Sequence, residues 1–336
     1  MLHLSDVWFI AIATLWAGYF LLEGFDFGVG ILLPFLGRDE SDRRVLINTI
    51  GPVWDGNEVW LLTAGGATFA AFPGWYAAMF SSFYLPLLLV LIALIFRGVA
   101  FEYRGKRDDP RWRRRWDAAI FGGSLLPAIL WGVAFGNVLH GIRLNAAHNY
   151  AGNFLDLLTP YALLGGAATL ALFTLHGAVF LALKTDGELR ARANALVTPL
   201  GLAAVVAGGG FLAWTEAVHR SPGYAATGAA SIALAALAAA GLVVAVGANR
   251  YGREGLAFLG NAVAIVAATA ALFTALYPRV LPSTISPAYT LTTANSSSTA
   301  MTLMVMTVVA AIFLPLVLAY QAWTYWVFRR RLSVSR

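Results

Sequence analysis

Two pairs of carboxylates stand where the neighbouring residues are almost all apolar. In "LLEGFDFGVG" Glu23 and Asp26 are three residues apart, and in "GPVWDGNEVW" Asp55 and Glu58 repeat the spacing. Residues at i and i+3 share a helix face, so each pair presents two acids together. An aspartate at the centre of a membrane helix costs roughly 2.5 to 3.5 kcal/mol on insertion scales, which makes intramembrane acids functional by default. If the two helices are consecutive and antiparallel, the four acids can face one another. Four negative charges cannot persist together in a low dielectric, so such a cluster shares protons, and that is the chemistry of a proton relay. Two other readings stay open. The acids can pair with Arg97, or with backbone freed near Gly24, Gly28 and Gly56, and serve structure alone. They can also hold a hard cation, because no histidine lies beside them in sequence.

The elements that must position these acids are transmembrane helices. Of 336 residues 59% are apolar and 12% charged, against roughly 25% charged in soluble domains. Apolar runs of about 20 residues, long enough to span, fall at 7–35, 49–71, 75–97, 118–140, 158–183, 195–217, 225–247, 255–277 and 301–328. The expected fold is therefore an all-α polytopic membrane protein with nine transmembrane helices. The first run continues past residue 30, which reads as a retained helix and not a cleaved leader. If the segment between the third and fourth runs is cytoplasmic, 20 of the 23 Lys and Arg lie on that side, and only Arg143, Arg220 and Arg279 lie opposite. The positive-inside rule then places the N-terminus outside and the C-terminus in the cytoplasm.

That distribution also explains the net charge of +6 without nucleic acid. The densest basic stretch, "EYRGKRDDPRWRRRW" at 102–116, suits a topology anchor and also suits acidic lipid headgroups or a partner. The polar segment 276–299 reads as a re-entrant or capping loop on the outer side. "GGG" at 208–210 lacks the strand and lysine of a phosphate loop and reads as helix packing. Cysteine is absent, which excludes disulfides and thiolate chemistry. Of five histidines, His3, His140, His148 and His219 lie at ends or in loops, and only His176 is placed like a haem ligand. Met301, Met304 and Met306 have no histidine close in sequence and read as gap fillers. Trp54, Trp60, Trp75 and Trp112 suit interfacial belts or helix packing.

The stretches "GFDFGVG" (24–30), "GPVWDGNEVWLLTAGGATFAAFP" (51–73), "FRGVAFEYR" (96–104), "GVAFGNVLHG" (132–141), "LYPRVLPST" (276–284) and "YQAWTYWVFR" (320–329) resemble subunit II of the cytochrome bd quinol oxidases, in order from first helix to last. The resemblance implies a terminal oxidase of the bacterial cell membrane, in which a heterodimer oxidises membrane quinol and reduces oxygen to water. It implies haems b and d ligated in subunit I and none in this chain, with small accessory subunits and membrane lipid as further partners. It implies two four-helix bundles plus one extra helix, here 1–145, 146–280 and 281–336. It also implies that Asp26 and Asp55, with Glu23 and Glu58, form a proton path, supported by Trp54, Asn57 and Arg97, with Trp54 at the contact with subunit I. Some members carry Asp in place of Glu23, and Gln in place of Glu58. Two other classes fit the buried charges: a proton-coupled secondary transporter, with "GFDFGVG" as a broken helix, and a subunit that binds haem itself through His176.

Overall fold

The computed structural model describes residues 3–220 and 225–333, so Arg336 of the terminal basic cluster lies outside the described residues. Helix α1, Leu4–Leu36, is buried around most of its circumference, as a helix apolar on every side must be. It runs unbroken through "GFDFGVG", so the helix break expected of a transporter is not there. A short helix α2, Glu40–Ile50, starts at Asp39, whose side chain accepts from Asp42 N at 2.8 Å, and ends at Gly51-Pro52, where proline cannot continue it. Then follow α3 (Trp54–Ala71), α4 (Pro73–Ser82), α5 (Tyr84–Tyr103) and α6 (Pro110–His140). Asp109 caps α6, accepting from Arg111 N at 2.8 Å, with Pro110 in the first turn.

The second half comprises α7 (Pro160–Lys184), α8 (Gly187–Trp214) continued by a π-helical turn (Thr215–His219), α9 (Ala225–Arg250), α10 (Glu254–Leu276) and, after a loop, α11 (Ala300–Val327). Helices α3 and α6 pack on α1, α5 packs on α6, and α7 to α10 pack serially on one another. The two groups meet where α1 and α6 cross α7. Gly28 and Gly177 make that crossing possible, since a Cβ on either would collide with the backbone of the other. In contrast, α11 lies on the outside and is exposed along most of its length.

Eight of these helices are long and apolar enough to cross a membrane. The remaining expected span, 49–71, contains the end of α2 and the 18-residue α3, whose first turns carry Asp55, Asn57 and Glu58. The expected span 75–97 is divided between α4 and α5. The polar loop 276–299 caps one end of the molecule. It contains a two-stranded ladder, β1 (Arg279–Leu281) with β2 (Leu291–Thr292), and its backbone bonds Ile142 and Ala71. Its Thr293 and Tyr277 hydroxyls donate to Asp6 at 3.4 and 3.2 Å.

One expectation about glycine is corrected. Gly208 and Gly209 meet no neighbouring helix. They line an apolar cavity of about 460 Å³ among α7 to α10. An apolar run shows that a glycine is embedded; it does not show whether a partner helix fills the space the missing side chain leaves.

Candidate functional site

One acid of α1 and one of α3 converge on a single buried cation. Arg97 of α5 is fully buried and ion-paired to Glu23, also fully buried, while its Nη1 lies 3.8 Å from Glu58 Oε1. The guanidinium stacks over the Phe27 ring at 4.7 Å and near Phe101 at 5.6 Å, so its faces are covered by aromatic carbon. Gly123 of α6 lets α5 come this close, because a Cβ there would sit 2.7 Å from that of Arg97. The pairing of acids with Arg97, one of the open readings, is therefore the geometry of Glu23 and Glu58.

Asp26 has a different partner. Its Oδ2 accepts from Asn57 Nδ2 at 2.7 Å, across the contact between α1 and α3. Asn57 Oδ1 in turn accepts from the Tyr325 hydroxyl at 2.8 Å and from Gln321 Nε2 at 3.3 Å, both on α11. Gln321 Oε1 accepts from Trp60 Nε1 at 2.8 Å. A continuous polar chain thus runs from α1 through α3 to α11. Gln321 and Tyr325 are absent from the sequence-based site, because their link to Asn57 is made only by the packing of α11 on α3.

Asp55 is not in this cluster. It is exposed, and its Oδ1 accepts only from the adjacent Gly56 N at 2.7 Å. The expectation that it faces Asp26 fails for a geometric reason. At about 100° per residue, Asp55 points roughly 200° away from Asn57, and Asn57 is the residue turned to α1. Glu58 lies between the two directions, with 23% of its side chain exposed. The face that carries Asp55 also exposes Val59, Leu62 and Phe69. Next to it Trp54 packs on Phe101 at 5.1 Å and against Gly98 of α5.

The histidine placed like a ligand is bonded within the protein. His176 is buried, its Nε2 donates to the Leu21 carbonyl at 3.0 Å, and its Nδ1 accepts from Asn261 Nδ2 at 3.0 Å. Both ring nitrogens are engaged, and Phe258 stacks on the ring at 4.9 Å. Met301 and Met304 are exposed on α11. No group of three or more His, Cys, Asp or Glu residues among the described residues could hold a metal ion. A further acid, Glu216 in the π-helical turn, was missed because it closes the 195–217 run. It accepts a short hydrogen bond from Ser231 of α9 and borders the apolar cavity.

A family model described as cytochrome bd terminal oxidase subunit II matches residues 4–328. The chain is 42% identical over 333 residues to cytochrome bd ubiquinol oxidase subunit 2 of Bacillus subtilis, covering 99% of this chain and 98% of that one. It is 36% identical over 354 residues to cytochrome bd-I ubiquinol oxidase subunit 2 of Escherichia coli, covering 96% and 93%. Among solved structures, a chain of the bd oxidase from Geobacillus thermodenitrificans shares its fold with a TM-score of 0.78 at 17% identity, covering 96% of this chain and 98% of that one.

Proposed function

We propose a function on one premise: the chain belongs to the cytochrome bd terminal oxidase subunit II family. It is a multi-pass subunit of an oxidoreductase complex in the bacterial cytoplasmic membrane, with a subunit I as its partner. Our reading is that this chain ligates no haem, that haems b and d and quinol oxidation reside with subunit I, and that this chain stabilises the complex and carries protons toward it. In this reading α3 completes nine crossings, with the N-terminus outside and the C-terminus cytoplasmic. The chain divides into bundles at 1–145 and 146–280, and 281–336 supplies the outer loop and last helix.

The observation that carries the proton path is the graded exposure of the acids. Glu23 and Asp26 are fully buried, Glu58 is partly exposed beside Arg97, and Asp55 lies on the outer face of the same helix one turn away. Glu23 and Glu58 share one cation and Asp26 is bonded to a neutral amide, so the cluster has uncompensated carboxyl groups on which protons can rest. The second oxygen of Asp26 accepts no hydrogen bond among the described residues. Glu58 and Asp55 then lead outward along one helix face. A carboxylate facing lipid carries the full insertion cost, so Asp55 and the apolar face around it belong against subunit I. Reduction of oxygen to water takes up protons, and Asp55 is where this chain delivers them.

Expression of this chain alone and together with its subunit I tests the assignment. The account expects haem absorbance and quinol-driven oxygen consumption only from the pair. A stable, active preparation of this chain alone would overturn it.

A further inference from the structure

The basic stretch that the proton path leaves unused folds into a pocket. Arg38, Arg43, Arg113 and Arg114 line a recess of about 430 Å³ together with Asp39, Glu40 and Pro110. The first turns of α2 and α6 both open onto it, which adds the positive ends of two helix dipoles. The two acids do not neutralise the recess. Glu40 is held by Arg104 at 2.8 and 2.9 Å, with Arg113 Nε 3.6 Å from it, and Asp39 caps α2. Arg43 is turned to Asp117 at 2.9 Å and to the Gly37 carbonyl, and Arg113 also meets Asp108 at 2.7 Å. At the mouth stand one cation in an exposed ion pair and one with none. Arg38 meets Glu188 at 2.9 Å, with both side chains mostly exposed. Arg114 is exposed and has no ion pair among the described residues.

Directly below, the surface changes from charge to hydrocarbon. Phe121 lies seven residues after Arg114 on α6, hence on the same face and about 10 Å further along the axis. The Phe35 ring, 66% exposed, packs edge-on to Phe121 at 6.3 Å between ring centres. Between them α6 exposes Ala118 and Gly122, and nothing lies within 4 Å of where a Cβ on Gly122 would be. The result is an exposed apolar face of α6 that runs down from the arginines. Trp112, under the Arg107 guanidinium at 4.6 Å and donating to the Tyr103 carbonyl at 2.9 Å, marks the level of the membrane interface.

We propose that the arginine recess and the exposed apolar face of α6 beneath it bind one anionic diacyl phospholipid, its phosphate between Arg38 and Arg114 and one acyl chain along Ala118 and Gly122. The recess alone would suit any phosphate. The exposed apolar face of α6 below it selects a lipid, and the unpaired Arg114 beside the exposed Arg38 selects an anionic headgroup over a zwitterionic one. The site is independent of the proton path and survives if that reading fails.

The test is native mass spectrometry of the purified two-subunit complex, titrated with dioleoylphosphatidylglycerol or dioleoylphosphatidylcholine. The wild-type complex should retain at least one phosphatidylglycerol that phosphatidylcholine does not replace. Each cation near the surface adds about a fivefold preference, so Arg114→Gln should weaken retention about fivefold and Arg38→Gln with Arg114→Gln on the order of twentyfold. Ala118→Trp places a bulky ring on that face, leaves every cation in place, and should also release the lipid. Lipids held by the partner subunit cancel in the comparison with wild type. Unchanged phosphatidylglycerol retention in the double variant would overturn the proposal. So would unchanged retention in Ala118→Trp, or displacement of the lipid by inorganic phosphate at equal concentration, which would mark a phosphate site alone.

Discussion

Asn57 donates its amide to Asp26 across the contact between the first helix and α3, at 2.7 Å. In the "WDGN" motif the amide, and not the neighbouring aspartate, reaches into the bundle. The same amide group holds Tyr325 and Gln321 through its oxygen, so one side chain ties three helices together.

Replacing Asn57 by Ala should therefore loosen the last helix as well as the acid. Leaving a buried polar group without its partner costs about 1–3 kcal/mol, and here a carboxylate and a hydroxyl both lose theirs. The expected result is a lower thermal midpoint of the purified complex and a smaller fraction of assembled heterodimer. A midpoint equal to wild type would show that the polar chain contributes no stability.

Arg97 should be more sensitive still. Removing one partner of a buried ion pair typically costs about 3–5 kcal/mol because the other charge is left uncompensated. Arg97→Met should thus sharply reduce assembly. The pair of substitutions Arg97→Met and Glu23→Leu should recover much of the loss, since the stranded charge is gone. If the double variant assembles no better than Arg97→Met, the coupling between these two residues is not the source of the defect.

At His176 the prediction concerns spectra. Both of its ring nitrogens are bonded to protein, so the complex carrying His176→Ala should keep every haem band in reduced-minus-oxidised spectra, in proportion to assembled protein. Selective loss of one band, with the others and the partner intact, would make His176 a ligand.

A weak dependence on pH should come from the basic end of the molecule. The hydrogen bonds from Arg104 hold the Glu40 carboxyl below the usual glutamate range, against partial burial that pushes the other way. A group depressed in the folded state stabilises at pH above its unfolded value, about 4.3, and that contribution is lost as pH falls through the folded value. Glu40 is 44% exposed on its side chain, so solvent screening keeps the effect within about 1 kcal/mol. Glu40→Gln should lower the thermal midpoint slightly at pH 7, and the gap to wild type should close in acid below about pH 4. A gap that persists unchanged there would assign it to packing.

The membrane class and eight of the spans could be read from apolar run length, because the bilayer imposes that length whatever the neighbours are. The pairing of Glu23 with Arg97 was one of the readings left open, since a buried charge has few available partners. Asp55 was misplaced because spacing shows which residues share a face but not where that face turns. Only the packing of α3 on α1, through Asn57, fixes that direction. Gln321 and Tyr325 were unreadable as site residues for a related reason: they lie 264 and 268 positions from Asn57 in sequence, and no local pattern links residues so far apart. Gly208 and Gly209 make the same point in reverse, since their space is filled by no partner helix.

Proton delivery through Asp55 is the central claim, and Asp55→Asn in the assembled complex tests it most directly. The substitution keeps size and hydrogen-bonding capacity and removes the titratable group. Quinol-driven oxygen consumption with simultaneous proton uptake, normalised to haem content, is the measurement. The account predicts that both rates fall together at wild-type haem content, that Asp26→Asn acts in the same direction, and that the double variant is less than additive because both acids lie on one route. Unchanged rates in both single variants would contradict the path. Loss of haem or of subunit I in place of a slowed rate would assign Asp55 to the interface alone.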